Sequence, residues 1–322
     1  DSLTNAVRFG WWGAEEFGLL GSIDYVVSLS DEELEKIAVY LNFDMIGSPN
    51  FVRYVYDGDS SDEPATIFVP EESATVERVF LDYFDSQGLQ TEATLLGQRS
   101  DHFAFCVSGV PCGGLFTGAE GIKTAEEVAI YGGVEGEQYD QCYHEACDTF
   151  DNISLTALDQ MSDAMAHAAA VYAFTPLCAN LPATIVGSNR ADNITGTNRD
   201  DVIVTLGGPD IVDARGGDDV VCLGAGADVA RTGPGDDIAF GEAGFDAIAG
   251  SGGNDTIDGG NGPDLLGGDG GNDTIIGGNG ADEIWGNGGD DSISGGNGAD
   301  IINGNGGADT IDAGRGADQV YG

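Results

Sequence analysis

An aspartate falls at every ninth position from Asp192 to Asp318, fifteen times in succession. It sits inside units such as GGNGPDLLG, GGNGADEIW and GGNGADIIN, which fit G-G-x-G-x-D-x-U-x with U aliphatic. A strict period of this kind predicts a parallel β-roll, in which three-residue strands stack coil upon coil and glycine-rich turns wrap a cation. The eighth position holds Ile, Val or Leu throughout, except at Ala230 and Ala239, and these side chains are the expected thin core. Carboxylates at fixed pitch beside glycine-turn carbonyls are hard oxygen donors, the set that calcium takes. Asp210, Asp219, Asp228, Asp237, Asp246, Asp255, Asp264, Asp273, Asp282, Asp291, Asp300 and Asp309 are therefore the candidate ligands of several Ca2+ ions. Without metal these carboxylates repel one another, so the roll is expected to fold only when calcium is bound. Arg190 and Arg199 replace the fourth-position glycine of the first two units, which read as a cap with weak or no calcium sites.

Composition divides the 322-residue chain near Thr175. Mixed aliphatic and aromatic sequence precedes that point and Gly/Asp/Asn repeats follow, giving a first domain over 1–175, a linker over 176–186 and the roll over 187–322. A formal charge of −45, with only 11 Lys and Arg, argues against nucleic acid or an anionic membrane as partner. No apolar run approaches the roughly 20 residues that span a bilayer. The chain opens at Asp1 directly before AVRFGWW, which reads as a strand already inside a domain, so further sequence is expected ahead of it. Six cysteines in a calcium-loading chain point to an oxidising extracellular space, and secretion is the expectation. Cys178, just before the repeats, and Cys222, at the end of the fourth, are expected to bridge.

The first domain reads as α/β, a sheet flanked by helices. Strands are expected at Val7–Trp12, Ala38–Phe43, Gln90–Leu95 and Pro111–Phe116. Helices are expected over Glu15–Ser28, after the capping box Ser30 and Glu33, and over Thr75–Ser86, Ser100–Ser108 and Leu155–Phe174. On the last, Leu158, Met161, Met165 and Tyr172 make an apolar stripe, while Asp159 and Asp163 share one face. Glu15 and Glu16 follow one strand and Asp44 another, at the carboxyl edge where open α/β sheets bind ligands. Cys106 and Cys112 read as buried thiols, and His102 and His167 as structural.

Two resemblances follow from these residues. The repeats resemble the RTX, or haemolysin-type, calcium-binding repeats of secreted bacterial proteins, whose fold is a parallel β-roll. The ordered blocks WWGAEEFGLLGS, NFDMIG, GQRSDHFAF, GGLFTGAEGIKT and CYHEACDTFDN resemble the secreted bacterial double-zinc aminopeptidases, which implies an α/β zinc exopeptidase domain. By that resemblance Glu15 is the general acid/base, Glu16 and His144 ligate one Zn2+, Asp44 ligates the other, and Tyr143 steadies the oxyanion. Arg99 borders the amine pocket, and Met45, Phe116 and Cys142 lie near a side-chain pocket for bulky apolar residues. It also implies a Cys142–Cys147 disulfide and a calcium at Asp159 and Asp163. The family supplies a further histidine and a bridging aspartate that no residue here matches, so this chain alone is expected to bind zinc poorly and hydrolyse little. The expected partners are peptides with a free N-terminus. The alternative is a noncatalytic, calcium-dependent binding or adhesion protein with a peptidase-like platform; carboxypeptidase or glutaminyl cyclase chemistry on the same scaffold is a third.

Overall fold

The computed structural model describes residues 4–322. The chain divides into two compact units, Asp1–Thr175 and Pro176–Gly322.

The first unit is built on a mixed four-stranded sheet of β1 (Tyr40–Phe43), β2 (Tyr54–Asp57), β3 (Glu92–Leu95) and β4 (Cys112–Phe116), in the order β1-β4-β2-β3. β1 runs parallel to β4, β2 parallel to β3, and β2 antiparallel to β4. Its helices are α1 (Leu20–Ser28), α2 (Asp31–Leu34), α3 (Ser73–Ser86), α4 (His102–Cys106), α5 (Ala125–Tyr131) and α6 (Leu155–Phe174).

Strand alternation assigns the two faces of this sheet. Phe43 meets Phe80 of α3 edge-on, with ring centroids 6.1 Å apart. Tyr40, three residues earlier on the opposite face, stacks on Phe105 of α4 at 3.9 Å. α3 therefore covers one face and α4 the other. Between β1 and β4 the backbones close so tightly that a Cβ on Gly114, which has φ 153°, would lie 1.8 Å from the carbonyl oxygen of Asn42. Only glycine fits there. α6 packs against α3, and its buried residues are Ala157, Met161, Ala164, Ala168, Tyr172 and Ala173. This buried stripe is richer in alanine than the expected one, which lets the helices approach, and Leu158 and Met165 are only half-buried. Met161 is fully buried, so Met161→Ala is expected to cost about 2–5 kcal/mol in a denaturant titration.

Three expectations are corrected here. Residues 7–12 join no sheet among the described residues, because no described segment lies alongside to pair with their backbone groups, and Val7, Phe9 and Trp11 are exposed. The expected helix from Glu15 is broken: a 3-10 turn covers Glu15–Phe17, and Gly18 (φ 97°) and Leu19 (φ 58°) interrupt the chain before α1. Cys106 and Cys112 are bridged rather than free, since the end of α4 meets the start of β4 with Cα atoms 5.5 Å apart.

The second unit is a β-roll of two eight-stranded parallel sheets. Two nonapeptides make one coil, so partners lie one coil apart, as in Ile257↔Ile275 on one sheet and Leu266↔Ile284 on the other. The central residue of each strand points inward, and Ile203 through Ile302 form a continuous core one side chain thick. Ala230 and Ala239 belong to it, and Leu223 joins at a position that later coils give to Gly241 and Gly259. Turn glycines are required by stacking: a Cβ on Gly262 (φ 129°) would lie 1.5 Å from the carbonyl oxygen of Gly244 in the preceding coil.

The stretch 176–186, expected as a linker, is structured. Leu177–Cys178 pairs antiparallel with Leu181–Pro182, and Ile185–Val186 adds the first strand of one sheet. This segment covers Val204, Val220 and Cys222 on the outer face of that sheet. Beyond the cover, the outward positions become mostly polar, with Thr256, Asp258, Thr274, Ser292, Ser294, Thr310 and Asp312. Cys178 and Cys222 are bridged across 44 residues of sequence. Closing a loop of that length restricts the unfolded chain by about 4 kcal/mol. Cys178→Ser is expected to lose stability of that order in a denaturant titration at saturating calcium.

Candidate active site and metal centres

Three of the expected site residues stand at or beside backbone that L-residues rarely adopt: Ala14 (φ 61°) precedes Glu15, Met45 (φ 51°) follows Asp44, and His144 itself has φ 60°. Such conformations cost of order 1–3 kcal/mol each and persist where surrounding contacts impose them. Here the 3-10 turn presents Glu15 and Glu16, and the carbonyl of Met45, fixed by the Thr117 amide at 2.9 Å, holds the end of β1.

The structure brings Glu15, Glu16, Asp44 and His144 into one charged neighbourhood. Nε2 of His144 contacts Oε1 of Glu16. The Glu15 carboxyl is half-buried and pushed up to about 7, first by burial, then by the charges of Asp44, Glu16 and Asp101, with His144 opposing. A carboxyl titrating near neutrality suits proton transfer. Asp44 is separate from the Glu16–His144 contact and accepts from the Ser100 hydroxyl at 2.8 Å. Carboxylates and an imidazole are donor types that zinc takes.

Tyr143 stacks on the His144 ring with centroids 3.9 Å apart. Burial and the charge of Glu16 push its phenol above the ordinary value, so it carries its proton at neutral pH. Cys142 and Cys147 are bridged on either side of this pair. Arg99, expected beside an ammonium pocket, is an ion-pair partner of Glu120 at 2.8 Å and lies against Tyr143. Met45 and Phe116 are half-buried, and Phe116 stacks on Tyr54 at 6.0 Å. Asp159 and Asp163 are exposed on α6 near Tyr83. His102 is buried, with Nε2 2.9 Å from the Gly97 carbonyl oxygen, and burial holds its pKa down to about 4. His167 packs against Tyr83.

Sequence reasoning missed Ser100, Asp101 and Glu120 as neighbours of the site. It also missed Asp57, Asp59 and Glu77, whose ligand-type atoms lie within 4.8 Å of one another. Asp57 accepts from the amides of Ser61, Asp62 and Glu63, and Glu77 from that of Gly58 at 2.8 Å, so these acids anchor the loop after β2.

In the roll, each repeat aspartate from Asp210 onward accepts the amide of the aspartate one coil earlier through Oδ1, as Asp273 does from Asp255 at 2.8 Å. The other oxygen, Oδ2, is buried without a partner in eleven aspartates, Asp210 through Asp300. A buried carboxylate oxygen left unpaired is costly. Burial, opposed by that amide and reinforced by neighbouring carboxylates, pushes Asp219, Asp255 and Asp264 up to about 7. These oxygens form the donor row that calcium fits. In the cap the row is closed: Oδ2 of Asp192 accepts from the amide and hydroxyl of Ser188, and that of Asp201 from the amide of Thr197 at 2.6 Å. Asp309 is only half-buried.

Comparison with known proteins agrees with this division. Residues 1–169 match the model of peptidase family M28. Four copies of the RTX calcium-binding nonapeptide repeat match 195–230, 231–266, 267–302 and 294–322. An aminopeptidase of Pseudomonas aeruginosa is 55% identical over 162 residues, 50% of this chain and 30% of that protein. Leucine aminopeptidase 2 of Arthroderma otae is 53% identical over 171 residues, 53% of this chain and 34% of that protein, and that of Trichophyton rubrum gives the same values. The chain thus spans about a third of the length of the relatives it matches.

Proposed function

The chain belongs to peptidase family M28, and we propose that its first unit serves a two-zinc aminopeptidase that releases bulky apolar N-terminal residues outside the cell, while its second unit is a calcium-loaded roll. One observation carries the reading: Nε2 of His144 meets Oε1 of Glu16, and Glu15 lies beside them among the charges of Asp44, Glu16 and His144. Glu16 and His144 would hold one zinc and Asp44 the other. Bound zinc lowers the pKa of water and polarises a carbonyl.

The chain's own groups do the rest. Glu15 takes the proton of the attacking water and returns it to the leaving amine. The Tyr143 phenol donates to the developing oxyanion. An ammonium is attracted by free oxygens of Glu15 or Asp44, whereas Arg99 is neutralised by Glu120 and shapes the pocket edge. Met45, Phe116 and Cys142 favour an apolar side chain. Three disulfides and the calcium repeats support an oxidising, calcium-rich location. The resemblance calls for a histidine and an aspartate that residues 1–322 do not supply, so this chain alone holds zinc weakly.

The test compares leucyl p-nitroanilide with its N-acetylated form, using both this chain and the longest product of its gene, in calcium with zinc restored after chelation. Zinc-dependent cleavage of the free-amine substrate alone is expected. Equal cleavage of the acetylated substrate would refute an aminopeptidase.

A further inference from the structure

We infer that Trp12, Tyr40, Asn42 and Ser100 form a positioning relay that fixes the Asp44 carboxylate and keeps it in register with Glu15 and Glu16. The inference rests on the reading of Asp44 and Glu16 as metal ligands. The indole Nε1 of Trp12 donates to the Tyr40 hydroxyl at 2.8 Å, and that hydroxyl donates to Oδ1 of Asn42 at 3.2 Å. Nδ2 of Asn42 donates to Oγ of Ser100 at 2.9 Å, and the Ser100 hydroxyl donates to Oδ2 of Asp44 at 2.8 Å.

The two ends set the direction of the whole chain. An indole N–H can only donate and an ionised carboxylate can only accept. Every group between must pass its hydrogen bond in one sense, and none can turn without leaving a neighbour unpaired. Asn42 and Ser100 are 5% and 4% exposed, so water cannot replace a lost partner. The far end is held by packing: Tyr40 stacks on Phe105, and the Trp12 ring lies 5.8 Å from the same phenylalanine.

Placement gives the relay its use. β1 alternation sets Tyr40 and Asn42 on the α4 face, with Asp44 just beyond the strand. Trp12 stands three residues before Glu15, ahead of a turn that contains Ala14, Gly18 and Leu19 in left-handed conformations. One hydrogen-bonded line therefore ties the segment carrying Glu15 and Glu16 to the strand end carrying Asp44. The four residues are positioning residues, acting through Asp44 rather than on substrate.

The test is a Co2+ titration of the longest product of the gene at saturating calcium, read by the visible absorption of bound cobalt, with thermal unfolding in parallel. Outer partners of metal ligands typically contribute roughly tenfold to a hundredfold in affinity. Tyr40→Phe, which keeps the ring stack, and Ser100→Ala are each expected to weaken Co2+ binding by that factor and alter the band. Ser100→Thr, which keeps a hydroxyl, should restore both. Trp12→Phe combined with Ser100→Ala should bind no more weakly than Ser100→Ala alone, because both break one line. Wild-type affinity and spectrum in Tyr40→Phe and Ser100→Ala would overturn the relay while leaving the peptidase reading intact. Absence of any cobalt band in the wild-type form of that longest product would remove the metal-ligand reading and the relay with it.

Discussion

Chelating calcium at pH 8 is expected to abolish the far-ultraviolet strand signal of the roll while α3 and α6 keep their helical signal. The eleven Oδ2 atoms of Asp210 through Asp300 are buried without a partner in a unit whose hydrophobic core is a single side chain thick. With calcium each has a partner; without it each is a buried charge with none. The covered cap around Asp192 and Asp201, closed by Ser188 and Thr197 and stapled by Cys178–Cys222, should be the last part to lose structure. An unchanged spectrum after chelation would sink the calcium-switch account.

Protons should partly replace calcium in this role. Asp219, Asp255 and Asp264 are raised from 3.8 to about 7 and Asp246 to about 6, each chiefly by burial. Between the unfolded value and these folded values, the folded roll binds more protons than the unfolded chain. Stability of the metal-free roll therefore falls as pH rises through that window, and it is greatest below it. A metal-free sample taken from pH 8 towards pH 4 should regain strand signal. Calcium binding has the opposite slope, because the same oxygens must be deprotonated to ligate. The calcium midpoint should move to higher concentration as pH drops below 7.

The roll was legible because its sequence period is half its coil: every ninth aspartate and every eighth-position aliphatic has one structural place. The first unit was legible only where local chemistry acts alone. The capping box at Ser30 and Glu33 is present in the structure, and α6 spans Leu155–Phe174 as its apolar spacing predicts. β2 was missed because Val55, Tyr56 and Asp57 are all buried and show no two-residue alternation. α5 was missed although Thr124 and Glu127 form a capping box ahead of it. The run 7–12 has strand composition but no described neighbour, and strand formation depends on pairing. At the site, the acids and His144 were legible through their motifs. Ser100 was not, since a serine 56 residues from Asp44 carries no local mark of its contact. The Cys106–Cys112 bridge likewise depends on how α4 meets β4.

Glu15→Ala, made in the longest product of the gene, is expected to lower kcat on leucyl amides by roughly 10²–10⁴ and to raise KM far less, since Asp44 still attracts the substrate ammonium. The reason lies in what Glu15 does and does not touch. Glu16 contacts His144 and Asp44 is held by Ser100, so neither depends on Glu15 for its placement. Removing Glu15 takes away the group that moves the proton and leaves the other acids of the site standing. It also relieves Asp44 and Glu16 of a neighbouring carboxyl, so Co2+ affinity should hold or rise. Glu16→Ala should behave differently, losing metal affinity and activity together because the His144 imidazole then lacks its carboxylate companion. A Glu15 variant that turns over like wild type would end the acid/base assignment. One that loses cobalt binding in step with activity would make Glu15 a ligand instead, and the proton would have to be carried by Asp101, the other buried acid beside it with an unpartnered oxygen.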